Sequence, residues 1–238
     1  MKDRPLIRLG AMLGLAGAAI AVVANLLHPR VTGTGPTARF EAIAASSSWN
    51  LIHYLGGLSI FLLLAGFIAF ARYLEGRPGH EWARLGLAAA VVGVGVGVVL
   101  IAIDGLALKL AVDEWAAAGR PTSGDVFVGA TIIEHISTGL FNVFNGVLIG
   151  AAPIAAGIAT IRSRVFPVWM GALAVIGGLG GLTVDLVQSL GGAENFLGNV
   201  VFPLSALLVT LWAIAAMLMI LRGTQEEEVP AARAAVAS

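Results

Sequence analysis

Long apolar stretches alternate with short polar connections along this chain. Six stretches are long enough for a helix to cross the hydrocarbon core of a bilayer, which takes about 20 residues. We predict transmembrane helices over residues 6–27, 49–74, 83–112, 126–161, 166–190 and 196–221. The pattern therefore predicts an all-α, polytopic membrane helix bundle with six transmembrane helices over residues 1–223, followed by a short disordered cytoplasmic tail over 224–238.

Two apolar stretches carry conflicting local signals. The segment VVGVGVGVV, residues 91–99, alternates with the period of a strand. A lone strand cannot satisfy its backbone in lipid, so we predict a helix in which Gly93 and Gly97 form a small-residue contact surface. The fourth stretch is too long for one straight span, and Pro153 is expected to kink it or to mark where it leaves the membrane.

The N-terminal region raises two further points. The first apolar stretch is longer than the apolar core of a signal peptide, about 7 to 15 residues, so we expect an uncleaved helix. The connection over residues 29–48 contains the sequence FEAIAA, which indicates a short interfacial helix.

Composition supports the membrane assignment. Hydrophobic residues make up 58% of the chain and charged residues only 12%, whereas soluble domains carry about a quarter charged residues. The formal net charge is zero, so the expected partner is the lipid bilayer and not nucleic acid. The chain has no cysteine, which excludes disulfides, thiolate metal sites and covalently attached haem.

The distribution of basic residues predicts the orientation, because Lys and Arg near the spans favour the cytoplasmic side. An inside N-terminus places ten of the fourteen basic residues on the inner flanks: Lys2, Arg4, Arg8, Arg72, Arg77, Arg84, Arg162, Arg164, Arg222 and Arg233. Only Arg30, Arg39, Lys109 and Arg120 then fall in or near the outer half. We therefore predict a multi-pass protein of the cell membrane with both termini in the cytoplasm.

The ionisable residues within the predicted spans all fall in the outer half of this topology. Such residues are costly in lipid, so a common depth predicts one polar pocket that opens outward. The stretch TIIEHISTGLFNVFNG, residues 131–146, places its polar side chains on one arc of about 100° when each residue advances 100° around the helix. That stripe, which also includes Thr131, should face other helices or water.

The predicted pocket brings imidazole and carboxylate groups to a similar depth, and these groups are suitable ligands for zinc or iron. The candidate metal ligands are His53, His135, Glu134, Asp104 and Asp185. The other residues expected in the pocket are His28, Asn25, Thr138, Asn142, Asn145 and Gln188, and Asn199 of the sixth span is a further polar position.

Several functions fit this set of residues. The pocket would bind a metal ion, a proton or a small ligand, and a membrane-embedded metal-dependent hydrolase is the enzymatic alternative. Haem b held by two histidines is disfavoured by the nearby carboxylates. A structural or accessory membrane subunit, whose polar side chains only join helices, is the remaining alternative.

Overall fold

The computed structural model describes residues 3–29, 31, 35–191 and 200–226. Within these residues the secondary structure is helical, without a strand. The α-helices are α1 (Arg4–Leu27), α2 (Gly35–Ala45), α3 (Trp49–Tyr73), α4 (His80–Leu100), α5 (Leu108–Ala117), α6 (Asp125–Phe144), α7 (Ala152–Ser163), α8 (Val168–Ser189) and α9 (Phe202–Glu226). Two π-helical segments, Ile101–Ala107 and Asn145–Ala151, continue α4 into α5 and α6 into α7.

Among the described residues, six helices are long and apolar enough to cross a membrane, which agrees with the predicted number. They are Arg4–Leu27, Trp49–Tyr73, His80–Ala117, Asp125–Ser163, Val168–Ser189 and Phe202–Thr224. Large apolar side chains on their outer surfaces are exposed, among them Leu26, Leu110 and Ile176. Such a surface is suited to lipid contact. The predicted start of the sixth span at residue 196 lies outside the described residues, as does Asn199. Residues 227–238 of the predicted tail also lie outside them.

The two ends of the bundle differ in chemistry. Arg72 lies 3.8 Å from Asp3, and the Tyr73 hydroxyl packs against Gly223, so the start of α1 and the last turns of α9 share one end. We call this the basic end. At the other end, α1 ends, α2 packs against α5 and α6, and α3 begins. We call it the polar end because it carries the ionisable cluster described below.

Glycines bring the helices into close contact. A Cβ atom added at Gly10 would lie 2.8 Å from the Ala65 carbonyl oxygen, and one at Gly14 would lie 2.9 Å from the Gly66 Cα, so α1 packs directly on the α3 backbone. The predicted surface on α4 is confirmed, because a Cβ at Gly93 would lie 2.7 Å from the Leu148 Cβ. Residues 91–99 are helical, as the backbone argument requires.

The fourth membrane helix changes its winding near the predicted proline. Pro153 lies in the first turn of α7, directly after the second π-helical segment. Proline lacks the amide proton that would bond to the carbonyl four residues earlier, and wider winding is a common response to such an interruption. The interruption therefore changes the phase of the side chains along this long helix.

A small aromatic core fixes α2 to the polar end. Phe40 of α2 is fully buried, with its ring 5.5 Å from Trp115 and 5.9 Å from Phe127. Ile43 is fully buried on the same helix. The predicted FEAIAA helix is thus present as part of α2, and its packing holds the preceding residue, Arg39, over the membrane helices.

Candidate metal centre

Asp104 lies at the centre of the polar end. Its Oδ1 atom accepts hydrogen bonds from Arg39 Nη2 at 3.0 Å and from Ser137 Oγ at 2.6 Å. Its Oδ2 atom lies 2.7 Å from Nε2 of His53. We call His28, Arg39, His53, Asp104 and Ser137 the Asp104 cluster. It joins α1, α2, α3, α6 and the first π-helical segment at one carboxylate.

The first π-helical segment allows this approach. Asp104 is only 9% exposed, and its backbone carbonyl accepts a 2.9 Å hydrogen bond from the Trp49 indole Nε1. A Cβ atom added at Gly105 would lie 2.6 Å from the His53 Cβ, so only glycine leaves room for the histidine at this distance. Trp49 and Gly105 therefore position Asp104 and His53 relative to each other.

The hydrogen bonds of His53 determine which of its ring nitrogens faces Asp104. Its Nδ1 atom lies 2.8 Å from the Trp49 carbonyl oxygen, which can only accept a hydrogen bond. Nδ1 therefore donates to that carbonyl, and Nε2 is the ring nitrogen that faces the Asp104 carboxylate. A metal-binding histidine is typically oriented in this way, with its other nitrogen donating to a carbonyl.

His28 is a third possible ligand at the edge of the cluster. Its ring centroid lies 5.5 Å from that of His53 and 5.1 Å from that of Trp49. Its Nδ1 atom lies 3.1 Å from the Pro29 carbonyl oxygen, which leaves Nε2 available. Burial, and secondly the neighbouring His53, lower the pKa of His28 below 6.5, which favours the neutral form that binds metals.

These three side chains are close enough to share one ion. One ligand atom from each of His28, His53 and Asp104 lies within 4.8 Å of the others. Two imidazole nitrogens and a carboxylate oxygen are a donor set that suits zinc or ferrous iron. The residues at the site thus fit a metal with three protein ligands.

Glu134 borders the cluster without joining the three possible ligands. Its Oε1 atom lies 3.7 Å from Arg39 Nε and accepts a 3.3 Å hydrogen bond from Thr138 Oγ1. The Glu134 side chain is 14% exposed. Two carboxyl groups, Asp104 and Glu134, thus lie beside the single guanidinium of Arg39.

The structure does not bring His135 and Asn25 to the cluster. The His135 side chain is 71% exposed, and its Nε2 atom lies 3.8 Å from Glu134 Oε2. Ser137 is instead the residue of α6 that meets Asp104, because the packed face of α6 is rotated away from the centre of the predicted stripe. Asn25 is exposed and donates a 3.0 Å hydrogen bond to the Ala21 carbonyl of its own helix.

Asp185 belongs to a different location. Its Oδ2 atom packs against Gly146, where α8 meets the second π-helical segment. Asn142 and Asn145 are buried on the α6 side of this contact, and Gln188 lies one turn beyond Asp185. The predicted single pocket is therefore not formed: His28, His53 and Asp104 lie in the Asp104 cluster, Asp185 lies at Gly146, and His135 and Asn25 lie at neither place.

Sequence reasoning did not identify Arg39 and Ser137 as site residues. Arg39 precedes the apolar residues Phe40 and Ile43, and this amphipathic pattern on a short helix could have placed it over the bundle. Ser137 lies between apolar residues and has no distinguishing signal. Its role depends on the rotation of α6 against the first π-helical segment.

Two histidines do not form a haem site here. The His28 and His53 rings are in edge contact, with 5.5 Å between their centroids, so no porphyrin fits between them. His135 is too exposed on the other side of α6 to serve as a facing ligand. Comparisons with protein families, with curated proteins and with solved structures gave no match, so the function is inferred from this geometry.

Proposed function

We propose that this chain is a multi-pass protein of the cell membrane that binds a divalent transition metal, with zinc as the best fit, at an outward-facing site. The ligands are Nε2 of His28, Nε2 of His53 and a carboxylate oxygen of Asp104. The observation that carries the proposal is that one ligand atom from each of these three residues lies within 4.8 Å of the others.

The surroundings of the ligands support zinc binding. The Trp49 carbonyl orients His53, and Ser137 and Arg39 hold the Oδ1 atom of Asp104, so that Oδ2 faces the histidine. Such outer partners increase the affinity of a metal site by orienting its ligands before binding. The charge of Arg39 opposes a cation, but Glu134 lies 3.7 Å from the same guanidinium and offsets that charge.

Calorimetric titration tests the proposal. Protein purified in detergent and stripped with a chelator should bind one zinc ion per chain. His53→Ala and Asp104→Ala should each lower the affinity at least about 100-fold, because three protein ligands are the usual minimum for such a site. His80→Ala is the matched control, since His80 lies at the start of α4, at the basic end. Equal zinc binding by the wild-type chain and both ligand variants would contradict the assignment.

The outward orientation rests on the basic residues. Arg72, Arg84 and Arg162 lie near helix ends at the basic end of the bundle, where the positive-inside rule places the cytoplasm. Since the chain lacks cysteine, single-cysteine variants report the side directly. Ser47→Cys at the polar end should react with an impermeant maleimide in intact cells, and Glu75→Cys only after permeabilisation. The reverse pattern would contradict the orientation while leaving the metal site standing.

Hydrolysis is a second candidate function, favoured by the position of Glu134. When zinc is bound by three protein ligands, it supplies a water of lowered pKa at its open position. Glu134 is a carboxylate beside the ligands that can accept a proton, and Arg39 can stabilise an anion. Hydrolysis of an activated ester by the zinc form, lost in Glu134→Gln with zinc still bound, would support this role. Equal rates of hydrolysis by the wild type and Glu134→Gln would exclude a catalytic role of Glu134 for that substrate.

A further inference from the structure

A second group of polar side chains lies within the bundle around Asp185. Asn145 is fully buried and Asn142 is 6% exposed. Asn142 lies in the last turn of α6, and Asn145 is the first residue of the second π-helical segment. Asp185 of α8 packs against Gly146, the residue after Asn145. Asn145 therefore directly precedes the residue at which the two membrane helices touch, and Asn142 lies about one turn before it.

Their hydrogen bonding is incomplete. The Oδ1 atoms of Asn142 and Asn145 and the Nδ2 atom of Asn145 have no hydrogen-bond partner. A buried amide left without partners is destabilising, because it has lost its hydrogen bonds to water without replacement. Packing alone would favour an apolar residue at position 145, so the amides indicate a ligand that supplies the missing contacts.

Asp185 adds a charge to this junction. Its Oδ1 atom accepts a 3.3 Å hydrogen bond from Ser189, and no Lys, Arg or His of the described chain pairs with its carboxylate. A carboxylate within a membrane helix requires a compensating charge. Asp185 is partly exposed and Ser189, one turn further toward the polar end, is exposed, which gives a route of entry.

We propose that Asn142, Asn145 and Asp185 bind a sodium ion, separately from the Asp104 cluster. Carboxylate and amide carbonyl oxygens are hard ligands that suit alkali and alkaline-earth ions and not transition metals. A single carboxylate balances a single positive charge, which favours a monovalent ion. The two Asn Oδ1 atoms then gain the partner that the protein does not supply.

Thermal unfolding in detergent tests this site. Tm is measured in sodium chloride and in choline chloride at equal ionic strength. A ligand that binds only the folded state at a concentration of about 100 Kd should raise Tm by roughly 5 to 10 °C. The wild-type chain should show this rise in sodium. No difference between the two salts would overturn the proposal.

Asn145→Leu separates a ligand from a packing role. Leucine removes the unpaired amide, so Tm in choline should stay equal or rise, whereas the sodium-dependent increase should disappear. Asp185→Asn should also lose the increase. A sodium response that survives in both variants would overturn the assignment, as would a lower Tm of Asn145→Leu in choline, which would indicate that the amide has a structural role.

Asp113→Asn is the control for carboxylate removal. Asp113 is a half-exposed carboxylate of α5, outside the Asp185 region, and pairs with Lys109. This variant should keep the full sodium response. Loss of the response here would show a general effect of charge and not a site. Zinc binding at the Asp104 cluster should be unchanged in Asn145→Leu, so the two sites can fail independently.

Discussion

A single methyl group at position 105 should disrupt the metal centre without removing any ligand. In Gly105→Ala the new Cβ atom would lie 2.6 Å from the His53 Cβ and 2.9 Å from its Cγ. Carbon atoms in contact are normally about 3.5 to 4.0 Å apart, so His53 and the π-helical segment must separate by about 1 Å. The His53 Cβ is fixed by its backbone, so a change of rotamer cannot relieve the closest contact.

The displacement is large compared with what a metal site tolerates. Metal–ligand distances deviate from their typical values by only about 0.2 Å. Loss of the groups that position a ligand typically lowers metal affinity 10- to 100-fold. We therefore expect Gly105→Ala to weaken zinc binding by at least about tenfold in calorimetric titration. Overpacking costs about 1 to 3 kcal/mol of folding free energy, and the better helix propensity of alanine offsets up to about 1 kcal/mol. The chain should still fold.

Gly56→Ala is the matched control on the helix that carries His53. Nothing lies within 4 Å of a Cβ atom added at Gly56. Alanine there should leave zinc affinity unchanged and raise Tm slightly through helix propensity. Wild-type zinc affinity in Gly105→Ala would refute the reasoning, because it would show that the approach of His53 to Asp104 does not determine binding.

Three further outcomes follow from the same geometry. His135→Ala should bind zinc as tightly as the wild type in titration, because this side chain is 71% exposed and away from the ligands; a loss of binding would place His135 in the site. Ser137→Ala removes the 2.6 Å hydrogen bond to Asp104 and should lower zinc affinity about tenfold, and an unchanged affinity would mean that Arg39 alone orients the carboxylate. Zinc affinity should hold at neutral pH and fall on acidification, since protons compete for the imidazoles. Because the pKa of His28 is lowered, its protonation should weaken zinc binding at a lower pH than an ordinary imidazole would, which titrations across pH would show.

The helices were predictable from the sequence because apolar length is the dominant signal in a membrane chain. The first, second, fourth and fifth described spans agree with their predicted stretches within two residues at each end. The third span extends further than predicted at both ends, where polar residues such as Asp113 occur. The predicted common depth of His53 and Asp104 also corresponds to a real contact, because both lie near the same end of antiparallel helices.

The composition of the site was only partly predictable, because it depends on helix rotation. Counting 100° per residue along α6 placed His135 within the polar stripe and Ser137 outside it, whereas in the structure Ser137 contacts Asp104 and His135 is exposed. Rotation is set by packing against neighbours and by the two π-helical segments, and neither is apparent in a hydropathy pattern. Arg39 reaches Asp104 through a contact separated by 65 residues along the chain, which local sequence cannot reveal.

X-ray absorption at the zinc edge tests the central claim most directly. For protein loaded with one equivalent of zinc, we predict two imidazole nitrogens at about 2.0 to 2.1 Å, with oxygen ligands completing a four-coordinate shell. The imidazole contribution should fall by half in His28→Ala. A spectrum without histidine scattering, or with oxygen ligands alone, would contradict a metal site built from His28, His53 and Asp104.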